Sequence, residues 1–175
     1  VVRGRGSDGR WVPRLRRVQP VLTGPMQLHM PQRGAVTDLS VRGQSAHEAE
    51  GTASLCEHQA RVQARAVGLN FRDVVNVMGL YPGDPGPPGA DCAGVVVGVS
   101  AEMNAAARKP VEVGDEVFGF APGALRTYAV TDARLLVPKP SIWTFDQACT
   151  LPILWATVWD AFEDCMRLSA GQRVL

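Results

Sequence analysis

The feature that most limits what this chain can fold into is its punctuation. Eighteen glycines and thirteen prolines are scattered through 175 residues, most densely at Tyr81-Pro82-Gly83-Asp84-Pro85-Gly86-Pro87-Pro88-Gly89. That stretch can be neither helix nor central strand, because each proline lacks an amide donor and has a fixed φ; it reads as an exposed, conformationally fixed loop. The runs on either side have strand character. Residues 61–67 alternate polar and apolar side chains, as a half-buried strand does. Residues 92–99 read as a buried strand in which Gly94 and Gly98 allow a bulge or a close backbone approach. A turn and strand follow at 113–120, with short strands at 126–130 and 134–137. Earlier, 27–39 reads as strand-turn-strand around Pro31-Gln32-Arg33-Gly34, and 43–57 as loop. Many short strands joined by Gly/Pro turns predict a mainly β, barrel-like domain with a few helices.

Two segments break the strand pattern. Residues 71–80 place Val74, Val75, Val77 and Met78 at helical spacing, with Asn70 as cap and Gly79 as terminator. A second helix is expected after Thr150 as cap, with Pro152 in its first turn. Its apolar stripe would be Trp155, Val158, Trp159, Phe162, Cys165 and Met166, packed as core, with Asp160, Glu163, Asp164 and Arg167 opposite. Residues 171–175 then read as the start of a new strand. The chain therefore divides into a basic tail or linker over 1–24, a mainly β domain over 25–150, and a connecting helix and first strand over 151–175. It begins with Val1 and reads as a piece of something longer.

Charge and composition exclude several classes. The net charge of +1 supplies no global attraction to nucleic acid or to anionic membrane. The six arginines among the first seventeen residues read as a solvated linker, since no aromatic-basic interleaving or nucleic-acid module follows, with a basic arm on nucleic acid as the alternative. The longest apolar run, 151–159, falls well short of the ~20 residues that span a bilayer, and no signal peptide is recognised. Cys56, Cys92, Cys149 and Cys165 form no CxxC pair, and His29, His47 and His58 are isolated. The expectation is therefore free, mostly buried thiols, no metal site and a cytoplasmic location.

From Ala66 onward the residues resemble a known family. Ala66-Val67-Gly68-Leu69-Asn70-Phe71-Arg72-Asp73-Val74, Gly79-Leu80-Tyr81-Pro82-Gly83-Asp84 and Asp91-Cys92-Ala93-Gly94-Val95-Val96 follow the order seen in polyketide synthase enoyl reductases. So do Val113-Gly114-Asp115-Glu116-Val117-Phe118-Gly119, Ala121-Pro122-Gly123-Ala124, Thr150-Leu151-Pro152 with Thr157, and Gly171-Gln172-Arg173-Val174-Leu175. That family is the zinc-free, quinone-oxidoreductase-like branch of the medium-chain dehydrogenases/reductases. Arg10-Trp11-Val12-Pro13-Arg14-Leu15 resembles the linker preceding the domain in large synthases. The resemblance implies a GroES-like, partially open β-barrel ending in a helix that leads into a Rossmann domain. No glycine-rich dinucleotide fingerprint is read in this chain, so the main NADPH-binding domain and the family's catalytic lysine are taken to lie outside it.

The implied reaction is hydride transfer from NADPH to the β-carbon of an α,β-unsaturated thioester carried by an acyl carrier protein, among neighbouring synthase domains. Tyr81 is the implied proton donor, its phenol being protonated at neutral pH; otherwise its ring packs on the proline-rich loop. Asn70 and Thr157 match positions beside the nicotinamide, or else Asn70 only caps the helix and Thr157 only bonds a carbonyl one turn back. Arg72 and Asp73 are a candidate ion pair bracing the substrate cleft, or two polar residues on a solvated face. Ala90 stands where zinc alcohol dehydrogenases carry a histidine ligand, and Asp91 where the family usually has glutamate. The other readings are a stand-alone quinone or enone reductase and a non-catalytic GroES-like scaffold. By itself the chain is expected to be inactive.

Overall fold

The structure is a computed structural model that describes residues 2–5, 11–14, 23–45, 55–101 and 111–174. His47, much of the expected 43–57 loop, most of the alanine-rich turn after Ser100, and Leu175 lie outside the described residues. The centre is a five-stranded antiparallel sheet, β8-β5-β6-β7-β9. It comprises β5 (Gln59–Gly68), β6 (Asp91–Val99), β7 (Glu116–Phe120), β8 (Tyr128–Asp132) and β9 (Leu136–Pro138). β5 pairs with both β6 and β8, with register shifts at Arg61/Val62 and Ala64/Ala66. The second of these sits at Gly94, the partner of Ala64, where a Cβ would overlap the Gln63 carbonyl. The close approach expected of Gly94 is therefore real, and bulges of this kind bend a sheet toward a barrel.

The core follows from that curvature. Ala60, Val62, Cys92, Val96, Val117 and Ala129 are buried in one cluster. A second cluster around Ala93, Ala148 and Cys149 is covered by Phe118, Trp143 and Phe145. Small and β-branched side chains dominate because strongly curved strands bring backbones close together.

Two smaller ladders flank the sheet. β3 (Met26–His29) pairs antiparallel with β4 (Ser40–Gly43). This matches the expected strand-turn-strand, although the second strand starts after Leu39, because residues 36–38 form a 3₁₀ turn. β1 (Val2–Arg5) pairs with β2 (Trp11–Arg14), so the tail carries a hairpin that the sequence reading did not assign.

α1 (Phe71–Val77) is capped by Asn70 as expected. α2 (Phe145–Ala148) has a capping box from Thr144 and Gln147. α3 (Pro152–Trp159) is followed by a widened, π-helical segment (Asp160–Cys165). That change of pitch ends the regular 3.6-residue stripe expected to run through Met166. Trp155 and Trp159 are 65% and 63% exposed, not core, because α3 is apolar on nearly every side and rests on the sheet only near its start. Arg173 and Val174 form no strand. No helix among the described residues is long and apolar enough to cross a membrane.

The thiols divide evenly, correcting the expectation that most are buried: Cys92 and Cys149 are buried, while Cys56 and Cys165 are exposed. Burial, with smaller contributions from Cys149 and Asp91, pushes the Cys92 thiol up to about 12. The thiolate is the reacting form. Brief iodoacetamide treatment at pH 8 is therefore expected to modify Cys56 and Cys165 and to spare Cys92 and Cys149, as read by peptide mass spectrometry. Equal labelling of all four in folded protein would contradict this packing.

Candidate functional site

The densest buried polar chemistry lies where the end of β5, the start of α1, the start of β6 and the start of α3 meet. Gly68 closes β5, and a Cβ there would overlap the Cys149 carbonyl and approach Asp91 Cβ to 3.0 Å. Only a residue without a side chain lets these four elements come together. Asp91 opens β6 and is 1% exposed. Its Oδ2 accepts a hydrogen bond from Asn70 Nδ2 at 3.0 Å. Its Oδ1 accepts from the Ile153 backbone N–H, also at 3.0 Å.

That second bond is a helix cap supplied from 62 positions away. The first N–H groups of a helix have no partner within it. Leu151, at the cap position, offers no side-chain acceptor, and Pro152 has no N–H to donate. Thr150, the expected cap, instead donates its hydroxyl to the Gln147 carbonyl at 2.8 Å. Asp91 therefore fills the position, and its negative charge suits the positive end of the helix dipole. Burial pushes its carboxyl above the usual range, against the Asn70 and Ile153 hydrogen bonds that favour ionisation; the nearby Asp73 charge adds to the rise.

Asp73 extends the network. Its Oδ2 accepts from the Asn70 backbone N–H at 2.9 Å, and its Oδ1 accepts from the buried Gly89 N–H at 2.7 Å. Its carboxylate is thus used to fix α1 against the end of the proline-rich loop. The ion pair considered for Arg72 and Asp73 does not form, because the two side chains leave the helix toward different partners. The Arg72 guanidinium lies 5.4 Å from the centroid of the Tyr81 ring and donates to the Pro85 carbonyl at 3.1 Å.

Tyr81 is 36% exposed. Its hydroxyl makes no hydrogen bond among the described residues, and its ring is held by Arg72. The loop that carries it is braced from the opposite side. Arg33 donates from Nε to Asn76 Oδ1 at 2.8 Å and from Nη2 to Asp84 Oδ1 at 2.7 Å. Asn76 Nδ2 donates to the Gly86 carbonyl at 3.0 Å.

Thr157 is exposed on α3 and donates its hydroxyl to the Ile153 carbonyl at 2.8 Å, one turn back. Ile153 is also Asp91's partner, so Asn70, Asp91, Ile153 and Thr157 form one continuous chain of hydrogen bonds across the junction of α1, β6 and α3. The five candidate residues thus fall into two groups. Asn70, Asp73 and Thr157 belong to this network, and Arg72 and Tyr81 to the loop beside it.

A separate apolar groove of about 420 Å³ opens between the sheet and α3, lined by residues including Phe118, Phe120, Leu135, Trp143, Trp155 and Trp159. None of the five candidate residues lines it. Among the described residues no group of three His, Cys, Asp or Glu side chains is placed to hold a metal ion.

Sequence reasoning missed the roles of Asp91, Arg33 and Asn76. A signal for Asp91 was present: a carboxylate opening an otherwise apolar strand is buried only if it is paired. For Arg33 and Asn76 the partners lie in distant segments, and no local pattern marks them.

Comparison with known proteins fits this architecture. Residues 56–141 match the alcohol dehydrogenase GroES-like domain family. The chain is 39% identical over 174 residues to erythronolide synthase EryA2 of Saccharopolyspora erythraea, covering 98% of this chain and 5% of that protein. It is 40% identical over 126 residues to the phenolphthiocerol synthesis polyketide synthase type I Pks15/1 of Mycobacterium marinum, covering 72% of this chain and 6% of that protein. The crystal structure of CurK enoyl reductase superposes with a TM-score of 0.72 at 25% identity, covering 85% of this chain and 45% of that one. The chain thus spans a small fraction of the synthases it matches and under half of that reductase. A GroES-like curved sheet, an ordered set of matching segments and a shared fold together place this chain among the GroES-like domains of the alcohol dehydrogenase superfamily, related to polyketide synthase enoyl reductases and to quinone oxidoreductases.

Proposed function

We propose that this chain is the substrate-side part of an NADPH-dependent enoyl reductase that reduces the α,β-double bond of an enoyl thioester carried by an acyl carrier protein. The observation that carries this reading is Tyr81: a phenol with an unengaged hydroxyl, on a loop braced by Arg33 and Asn76 and stacked beneath Arg72. Hydride addition at the β-carbon leaves negative charge on the thioester oxygen and the α-carbon. A fixed phenol with its proton in place can quench the α-carbon from one face. The Arg72 guanidinium beside it stabilises the phenolate left behind.

NADPH supplies the hydride when bound. On this chain, Asn70 and Thr157 are the residues proposed to face the nicotinamide side. Asn70 is held by Asp91, which also caps α3, and Thr157 bonds the Ile153 carbonyl within that helix, so the network's task is to keep α1 and α3 at a fixed mutual setting rather than to react. The sequence has no strand-to-helix glycine fingerprint, so pyrophosphate binding has to come from other polypeptide.

Two assays test the reading. The 175-residue chain incubated with NADPH and crotonyl-pantetheine is expected to show no steady consumption of NADPH, read as a constant nicotinamide absorbance. In a longer parent protein that includes a nucleotide-binding unit, Tyr81→Phe is expected to lower kcat by about 10²–10⁴-fold or to scramble the configuration at the α-carbon. An unchanged rate together with unchanged configuration would remove Tyr81 from the mechanism.

A further inference from the structure

Tyr81 sits in a gap between two anchors. On one side the Leu80 amide donates to the Val75 carbonyl at 2.9 Å, tying the chain back to α1. On the other side the next held residue is Asp84. Among the described residues, Tyr81, Pro82 and Gly83 make no hydrogen bond of their own. The prolines do not close this gap. Gly79, Gly83 and Gly86 have positive φ values of 68°, 76° and 73°, and no side chain restricts them. The setting of the phenol therefore depends on how residues 84–86 are held.

Two guanidiniums hold them, each from a different element. Arg72, on α1, donates to the Pro85 carbonyl at 3.1 Å while lying 5.4 Å from the centroid of the Tyr81 ring. Arg33, in the turn between β3 and β4, takes the residues on either side of Pro85. Its Nη2 donates to Asp84 Oδ1 at 2.7 Å and to the Gly86 carbonyl at 3.2 Å. The Gly86 amide donates to the same Asp84 oxygen at 3.0 Å, which closes the turn. The Gly86 amide first, and the Arg33 guanidinium second, hold the Asp84 carboxyl below its ordinary value, so this pair stays charged at neutral pH.

Arg33 is itself fixed. Its Nε donates at 2.8 Å to Oδ1 of Asn76, which is 2% exposed, and the Gly34 amide donates to the Val77 carbonyl at 2.9 Å. A guanidinium suits this task better than an ammonium, because Nε and Nη2 lie in one rigid plane and reach separate acceptors together. A single line of contacts results: Arg33 to residues 84 and 86, the Pro85 carbonyl between them to Arg72, and Arg72 to the Tyr81 ring.

We propose that Arg33 is a positioning residue for proton delivery: by holding Asp84 and Gly86 it fixes the Pro85 carbonyl, hence Arg72, and hence the face from which the Tyr81 phenol reaches the α-carbon. Arg33 touches no reacting atom, and it sets the configuration of the product. This rests on the enoyl reductase reading above and adds a specificity-determining residue to it.

The test uses the longer parent protein with a nucleotide-binding unit, NADPH and an α-methyl enoyl-pantetheine. Arg33→Met keeps the aliphatic stem and removes the donors. It is expected to lower kcat by about 10–100-fold, to give a mixture of configurations at the α-carbon, and to leave KM for NADPH within about twofold. In a Tyr81→Phe background the same change is expected to add nothing, because both act through one phenol. Arg33→Lys, which keeps a charge for Asp84 but not the fork, is expected to fall between. Asp84→Ala is expected to give a smaller loss in the same direction; the Asp84 side chain is 80% exposed, so this change does not threaten the fold. Tyr81 and Tyr128 are the two tyrosines of the chain, so fluorotyrosine labelling of the 175-residue chain gives two fluorine resonances. Arg33→Met is expected to shift or broaden the Tyr81 line and to leave the Tyr128 line in place. A loss of kcat with one configuration retained would overturn the proposal, because that is the mark of less folded enzyme. Losses that multiply with those of Tyr81→Phe would overturn it too, as would an unmoved Tyr81 line. The two failures separate: Tyr81→Phe without effect removes Tyr81 from the reaction and this proposal with it, whereas Arg33→Met without effect beside an impaired Tyr81→Phe removes this proposal alone.

Discussion

Asp91→Ala is expected to be among the most destabilising single changes in this domain, by about 3 kcal/mol, which for a chain of this size lowers Tm by roughly 6–12 °C. The substitution removes the acceptor for two donors at once, the Ile153 N–H and the Asn70 amide. The helix start is left uncapped against a buried wall, where water cannot readily replace the carboxylate. Asp91→Asn separates the contributions of shape and charge. It keeps an acceptor for Ile153 and removes the buried charge, so its cost should stay within about 1.5 kcal/mol. The two proteins should also differ in pH dependence. Folding raises the Asp91 carboxyl above its unfolded value near 3.8, with burial the main cause. The folded state therefore holds this proton more tightly than the unfolded state. The native chain should gain stability relative to Asp91→Asn as pH falls through the folded value, and lose that gain as pH rises again. Thermal melts of the three proteins from pH 7 to pH 4 would show it. A native chain that loses ground to Asp91→Asn on acidification would contradict the burial-dominated picture.

Gly68→Ala is expected to cost about 3 kcal/mol as well, for a steric reason. The added methyl would overlap the Cys149 backbone oxygen while lying 3.0 Å from Asp91 Cβ and 3.3 Å from Asp91 Oδ2. A flexible side-chain end could yield, but a carbonyl in the turn between α2 and α3 cannot move without carrying Leu151 and Ile153 with it. The strain should therefore appear at the Asp91–Ile153 hydrogen bond, as faster hydrogen exchange of the Ile153 amide. Gly43→Ala is the control. Nothing lies within 4 Å of a Cβ there, and a surface change of that kind should stay within about 0.5 kcal/mol. Equal Tm values for the two alanine variants would show that the β5–α3 approach is looser than these distances require.

The sequence by itself determined the kinds of element and most of their places. Alternation marked β5, and an apolar run with permissive glycines marked β6. The spacing of Val74, Val75, Val77 and Met78 between Asn70 and Gly79 marked α1. Dense prolines declared the Tyr81–Gly89 loop, because a missing N–H and a fixed φ are properties of the residue and need no context. The ordered motifs likewise pointed to a GroES-like domain.

Pairings between distant segments were decided only by tertiary structure. Thr150 looked like the cap of α3 because a cap is normally local, yet the curved sheet delivers Asp91 to that position from 62 residues away. Arg72 and Asp73, adjacent in sequence, leave α1 in different directions, since neighbouring helical residues do not face each other. The Trp155–Trp159 stripe looked like core, but a helix knows only its own apolar side chains, and whether they are covered depends on what the fold sets against them. Arg33 and Asp84 carry no mutual signal in the sequence. They meet because the Gly34 amide ties the turn between β3 and β4 to the Val77 carbonyl at the end of α1, and a contact across 51 positions is a property of the folded chain rather than of either segment alone.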